Sequence, residues 1–90
     1  MAIQYSDTIK HNVFPTAYAV ITGYNGAGLY ISFNVYIYTN AASYAAGDSS
    51  ISDDYFNDVL ESAITLTGGI IAGLYAYMLT QPRYTGGSIV

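Results

Sequence analysis

Residues 29–40 read LYISFNVYIYTN, and the hydrophobic positions recur with a period of two. Leu29, Ile31, Phe33, Val35 and Ile37 fall on one side of an extended chain; Tyr30, Ser32, Asn34, Tyr36 and Tyr38 fall on the other. Upstream, residues 16–22 (TAYAVIT) are rich in β-branched and aromatic side chains and predict a partner strand. Between the two lies YNGAG, with Asn25-Gly26 at its centre. Both residues accept positive φ, so the pattern predicts a hairpin over 16–39 that turns at Asn25-Gly26.

After Gly68-Gly69 the period changes. Ile70, Leu74, Tyr77 and Met78 share one stripe, with Ile71 and Tyr75 beside it. This predicts a helix over about 69–81, with Thr67 as N-cap and Pro82 stopping it after Gln81. Gly69 and Gly73 would let its backbone approach a neighbour closely. Residues 40–47 (NAASYAAG) read as one helical turn capped by Asn40 and closed by Gly47, or as a loop. Residues 48–54 (DSSISDD) read as a polar, acidic loop. Residues 55–66 read two ways: Phe56, Val59, Leu60, Ala63 and Ile64 match a helical face, while 63–67 alternate like a short strand. Residues 1–15 read as an extended arm or as a short edge strand carrying Ile3 and Tyr5, with Pro15 holding Phe14 extended. Residues 82–90 form a tail with room for a short edge strand.

These elements predict a single α+β domain over 1–90. It is a small antiparallel β-sheet built on the 16–39 hairpin, with one C-terminal helix packed on it. The expected core is Val20, Leu29, Ile31, Phe33, Val35, Ile37, Ile70, Leu74 and Met78.

Composition turns this architecture towards assembly. A 90-residue chain has a marginal core of its own. With no cysteine and one histidine it has no disulfide, thiolate or multi-histidine staple. Charged residues make up 9% of the chain, against about 25% in an ordinary globular protein. Tyr, Ser, Thr, Asn and Gly stand where a free-standing monomer would place charge, and 11 of the 90 residues are tyrosine. Tyr combines an apolar body with a wet tip and is enriched at interfaces. Lys10 and Arg83 are the only basic residues, which excludes a phosphate-neutralising patch and with it nucleic-acid binding. The first twelve residues show no apolar signal-peptide core.

Catalytic signatures are weak. His11 has no G-x-S-x-G partner motif for a serine triad. Asp48, Asp53, Asp54 and Asp58 lack the spacing of a calcium loop and read as a solvated acidic run. Asp58 and Glu61 could pair for glycoside hydrolysis, but so short a chain leaves little room for a sugar cleft. No cofactor or metal is expected.

Two binding readings compete with assembly. Residues 63–81 carry no charge and approach the ~20 residues that cross a bilayer. Gly69-x-x-x-Gly73 is a small-xxx-small pattern. The Gly68-Gly69 pair and the polar threonines inside the stretch favour a buried helix instead. Tyr30, Tyr36 and Tyr38, with Asn34 among them, would also make a platform for sugar rings.

The order of features carries a resemblance. Ala17-Tyr18 leads through a glycine turn to a strand ending in Tyr38, Thr39 and Ala42, followed by Ala45, Ala46 and Gly47. A helix with Ala72 and Tyr75 closes on Leu79-Thr80-x-Pro82-x-Tyr84-x-Gly86. Over residues 14–87 this resembles small proteins encoded in the structural-gene regions of tailed bacteriophages. The resemblance implies a virion-associated structural role without enzymatic activity. The expectation is therefore a non-enzymatic subunit of a phage particle: a tail, fibre-attachment or capsid-decoration component. It would be located in the virion and bind itself and other virion proteins, with Tyr30, Tyr36, Tyr38, Tyr75 and Tyr77 at the interface.

Overall fold

The structure is a computed structural model that describes residues 1–65 and 67–90, with Ala27 described by its backbone alone. Its strands are β1 (Ile3–Ile9), β2 (Asn12–Ala27), β3 (Tyr30–Tyr38), β4 (Ser52–Leu60) and β5 (Ser88–Ile89). Its helices are α1 (Ala41–Ala45) and α2 (Ile70–Met78), with 3-10 turns at Glu61–Ala63 and Pro82–Tyr84. All neighbouring strands are antiparallel, in the order β4-β3-β2-β1-β5. Residues 3–9, where the sequence allowed an arm or an edge strand, form a strand paired with β2 on one side and β5 on the other.

The hairpin forms, but its turn lies at Gly28-Leu29 rather than Asn25-Gly26. Asn25 and Gly26 are ladder residues opposite Ser32 and Ile31. A turn at Asn25-Gly26 would set Pro15 opposite Tyr36 in an interior ladder, where proline has no N–H to give. The observed register instead places Pro15 in the irregularity between β1 and β2. Gly28 takes φ +65°, the first-position conformation of a II′ hairpin turn. The β1–β2 turn is Lys10-His11, both at positive φ, so His11 is an exposed turn residue.

The alternation of β3 survives intact: Ile31, Phe33, Val35 and Ile37 are buried, and Leu74 and Met78 of α2 cover them. Ile70 packs at the margin of this core. Val20 and Leu29 do not belong to it. Ala17 and Ala19 are the buried positions of β2, so Val20 faces the other way, opposite Tyr36. Leu29 sits in the turn and is 73% exposed.

Residues 52–60 correct one expectation and decide one reading that stood open. The acidic segment is strand from Ser52 onward, not loop, and residues 55–60 are strand rather than helix. Ser52, Asp54 and Phe56 point towards the core side with a period of two. A bulge with Asp58 at φ +53° then shifts the phase, so that Val59 is the next inward residue. The resulting Phe56–Val59 spacing of three imitates a helical face. The strand reading of 63–67 includes Leu66, which lies outside the described residues.

α2 is shorter than its periodicity predicted. Gly69, at φ +102°, takes the N-cap position in place of Thr67. The helix ends at Met78, where the Thr80 hydroxyl donates to the Tyr77 carbonyl at 2.6 Å. Pro82 opens the following 3-10 turn instead of terminating α2. α1 is the capped turn: Asn40 Oδ1 accepts from the Ser43 N–H at 2.8 Å.

Close approach is real at Gly73 and absent at Gly69. A Cβ on Gly73 would overlap the Thr65 carbonyl oxygen and stand 2.9 Å from Ile64 Cγ2, whereas Gly69 has open space. The helix is thus pressed against the backbone of the segment that precedes it. Gly73→Ala is expected to destabilise the fold by about 3 kcal/mol or more, because rigid backbone must move. Urea denaturation checks this; an effect below about 1 kcal/mol would mean that the 64–65 segment yields freely.

Candidate functional site

The covered side of the sheet is closed by a polar cluster around the only arginine. Arg83 Nε donates to Asp7 Oδ2 at 2.9 Å, and its Nη1 lies 3.8 Å from Asp54 Oδ2. Each carboxylate also accepts a tyrosine hydroxyl: Tyr5 to Asp7 at 2.5 Å and Tyr84 to Asp54 at 2.9 Å. Asp7 stands on β1 and Asp54 on β4, with two strands between them. Asp7 faces Phe14 of β2, whereas Asp54 reaches β2 through Val35 at Ile21. In a flat sheet that offset of seven residues (21 − 14) alone would separate them by roughly 23 Å. The sheet must therefore curl along this diagonal, and irregularities in the three long ladders supply the bends. Tyr84 fills the space beneath, with its ring 4.9 Å from Tyr5 and 6.2 Å from Phe56.

The cluster favours fixed protonation states. Burial, then the bond to Asp7, pushes the Tyr5 hydroxyl well above the ordinary tyrosine range. Burial, then the bond to Asp54, does the same for Tyr84. Burial raises Tyr75 as well, although its oxygen accepts the Ile21 N–H at 2.8 Å. For Arg83, burial pulls downward but is outweighed by the bond to Asp7 and the surrounding oxygens, so it stays charged. No reactive group emerges: the cluster is a fastening, and sequence reasoning missed it. The available signal was Arg83 itself, one of two basic residues among six acidic ones.

The opposite side of the sheet carries much of the chain's exposed tyrosine. Tyr18 and Tyr38 are cross-strand neighbours, and Tyr44 of α1 packs on both, with ring centroids 5.4 and 5.1 Å away. Tyr36 continues the row opposite Val20, 43% exposed, with Asp53 beside it on β4. Tyr44 is similarly open at 44%. The residues expected at an interface are therefore split. Tyr30 and Tyr36 are exposed, and Tyr38 is half-covered by Tyr44. Tyr75 is buried in the core, and Tyr77 is half-buried edge-on to Phe56. Tyr75 therefore presents no surface to a partner, because its place on α2 points it at the bulge of β2.

A notch of about 320 Å³ lies further along the sheet, lined by Gly23, Tyr24, Asn25, Ser32, Asn34 and Tyr55. The Ser32 hydroxyl is engaged, donating to Asn57 Oδ1 at 3.2 Å and accepting from the Asp58 N–H at 3.1 Å. No lining residue is charged.

Among the described residues, no group of three or more His, Cys, Asp or Glu side chains is arranged to hold a metal ion. No helix among them is long and apolar enough to cross a membrane; the uncharged 63–81 stretch is divided between a 3-10 turn, α2 and the connection between them. No family model, no curated protein and no solved structure matches the chain.

The raised tyrosines give a signed pH dependence. Above the ordinary tyrosine pKa of about 10, the unfolded chain releases the protons of Tyr5, Tyr75 and Tyr84 while the folded chain keeps them. Stability is thus fully present below about pH 10 and falls above it, by up to about 1.4 kcal/mol per pH unit for each of the three. Tyr84→Phe is expected to lose about 1 kcal/mol at neutral pH and to show a shallower alkaline decline. Thermal denaturation from about pH 8 to about pH 12 measures both; an unchanged alkaline slope in Tyr84→Phe contradicts the assignment.

Proposed function

We propose that the protein is a non-enzymatic structural subunit of a bacteriophage particle, working through subunit–subunit contacts on its tyrosine face. The observation that carries this reading is the row of Tyr18, Tyr36, Tyr38 and Tyr44 with Val20, against which, among the described residues, α1 alone packs. Its neighbour Asp53 lies at the β4 rim, and neither basic residue is part of the row. For a chain of net charge −4, such a face is where two copies meet with least repulsion. The occupant is therefore a second copy of this chain, in a self-complementary contact or on a symmetric lattice. The phage setting, as tail, fibre-attachment or decoration component, rests on the sequence resemblance.

Light scattering coupled to size exclusion tests the contact. The wild-type chain is expected to be oligomeric at micromolar concentration. Tyr36→Ala should weaken association on the order of tenfold, since a central aromatic contact is worth about 1–2 kcal/mol, while leaving the melting temperature nearly unchanged. A monomer at all concentrations contradicts the proposal. So does a Tyr36→Ala variant that unfolds, because Tyr36 would then serve the subunit's own core. Mass spectrometry of purified particles tests the phage setting separately.

A further inference from the structure

The geometry points to a second site, independent of the tyrosine row: the notch at Gly23 binds a neutral saccharide. Its lining combines one aromatic ring, that of Tyr55 opposite Asn34, with two carboxamides, Asn25 and Asn34; Tyr24, opposite the buried Phe33, contributes its backbone and turns its ring to the covered face. Ser32 is spoken for by Asn57 and Asp58, whereas neither carboxamide makes a side-chain hydrogen bond among the described residues. Each amide offers two donors and an acceptor, which suits vicinal hydroxyls that both give and take. The negative face of a tyrosine ring suits the C–H side of a sugar ring. A few convergent polar groups beside one aromatic ring, in an open notch of about 320 Å³, suit a small ligand.

Charge narrows the ligand. Lys10 and Arg83 do not line the notch, so a phosphate or carboxylate finds no partner in a chain of net charge −4. No carboxylate lines it either, so a cation gains no direct contact. A neutral, hydroxyl-rich ring remains.

Gly23 supplies an independent observation. Its φ is ordinary and no atom lies within 4 Å of where its Cβ would stand, so neither conformation nor packing requires glycine there. Glycine inside a strand marks a bulge or a place where a ligand or another backbone comes close, and the open space above Gly23 leaves room for the second beside the first. It also adjoins the β2 irregularity between Ile21 and Gly23, the kind of defect that re-aims side chains beside binding sites. The sequence pattern placed a sugar platform on Tyr30, Tyr36 and Tyr38; the notch shares with that reading only Asn34.

An array of neutral oligosaccharides built from glucose, galactose, mannose or N-acetylglucosamine, followed by titration calorimetry on the hits, tests this. At least one neutral saccharide is expected to bind the full chain. Tyr55→Ala and Asn34→Ala should each weaken it by about tenfold or more. Gly23→Val is the decisive variant: it fills the notch while suiting a strand better than glycine does. It should abolish binding with an equal or higher melting temperature and an unchanged oligomeric state, which separates this site from the assembly face. No binding by the folded wild-type chain overturns the proposal. Undiminished binding by Gly23→Val overturns the location, and binding of nucleosides or peptides in place of saccharides overturns the ligand class.

Discussion

One guanidinium holds the architecture together. Arg83 lies between Asp7 on β1 and Asp54 on β4, two strands that are not neighbours in the sheet. A planar fork with several donors can serve two carboxylates at once; a lysine ammonium on a flexible stem does so less well. The pair is only partly shielded, since the Arg83 side chain is 32% exposed. Its contribution therefore lies as much in geometry as in energy. It fixes the diagonal along which the sheet curls, and it fixes Tyr84 beneath that diagonal. The tyrosine hydroxyls of Tyr5 and Tyr84 occupy further lone pairs of the two carboxylates, and among the described residues no buried side-chain nitrogen or oxygen is left without a partner.

That fastening explains how so small a chain gives its sheet two unlike sides. On one side α2 and the Pro82–Tyr84 turn cover Ile31, Phe33, Val35 and Ile37, with Gly73 allowing α2 to press against residues 64 and 65. Among the described residues no comparable layer lies on the other side; α1 covers only the end near Tyr18 and Tyr38. Tyrosine serves both sides for different reasons. Buried, as in Tyr5, Tyr75 and Tyr84, it fills volume and its hydroxyl finds a partner. Exposed, as in Tyr36 and Tyr44, it keeps an apolar surface wettable until something covers it.

The sequence made the two-sided strand legible because β3 is regular from Tyr30 to Tyr38. It misled wherever the ladder was irregular. The bulge at Asp58 turned a strand period into an apparent helical one between Phe56 and Val59. The Asn25-Gly26 pair outranked Gly28 as a turn signal, because only the three-dimensional register shows where Pro15 would otherwise fall. The Arg83 cluster was invisible for the same reason: Asp7, Asp54 and Arg83 are far apart in the chain and meet only through curvature. Tyr75 was grouped with surface tyrosines since periodicity gives a helix a stripe but not the direction of a long side chain at its end. The notch at Gly23 depends on residues of β2, β3 and β4 together, of which Asn34 alone was read as a binding residue.

The proposed assembly requires a sheet with one side completed within the chain and the other covered by a second copy. Tyrosine-selective chemical labelling read by mass spectrometry, on the dilute subunit and on the assembled form, tests it most directly. Tyr36, Tyr44 and Tyr55 should label readily in the dilute subunit while Tyr5, Tyr75 and Tyr84 resist, and Tyr36 and Tyr44 should become protected on assembly. If Tyr84 and Tyr75 label as fast as Tyr36 in the folded subunit, or if assembly leaves Tyr36 and Tyr44 unprotected, the division of the two sides is wrong.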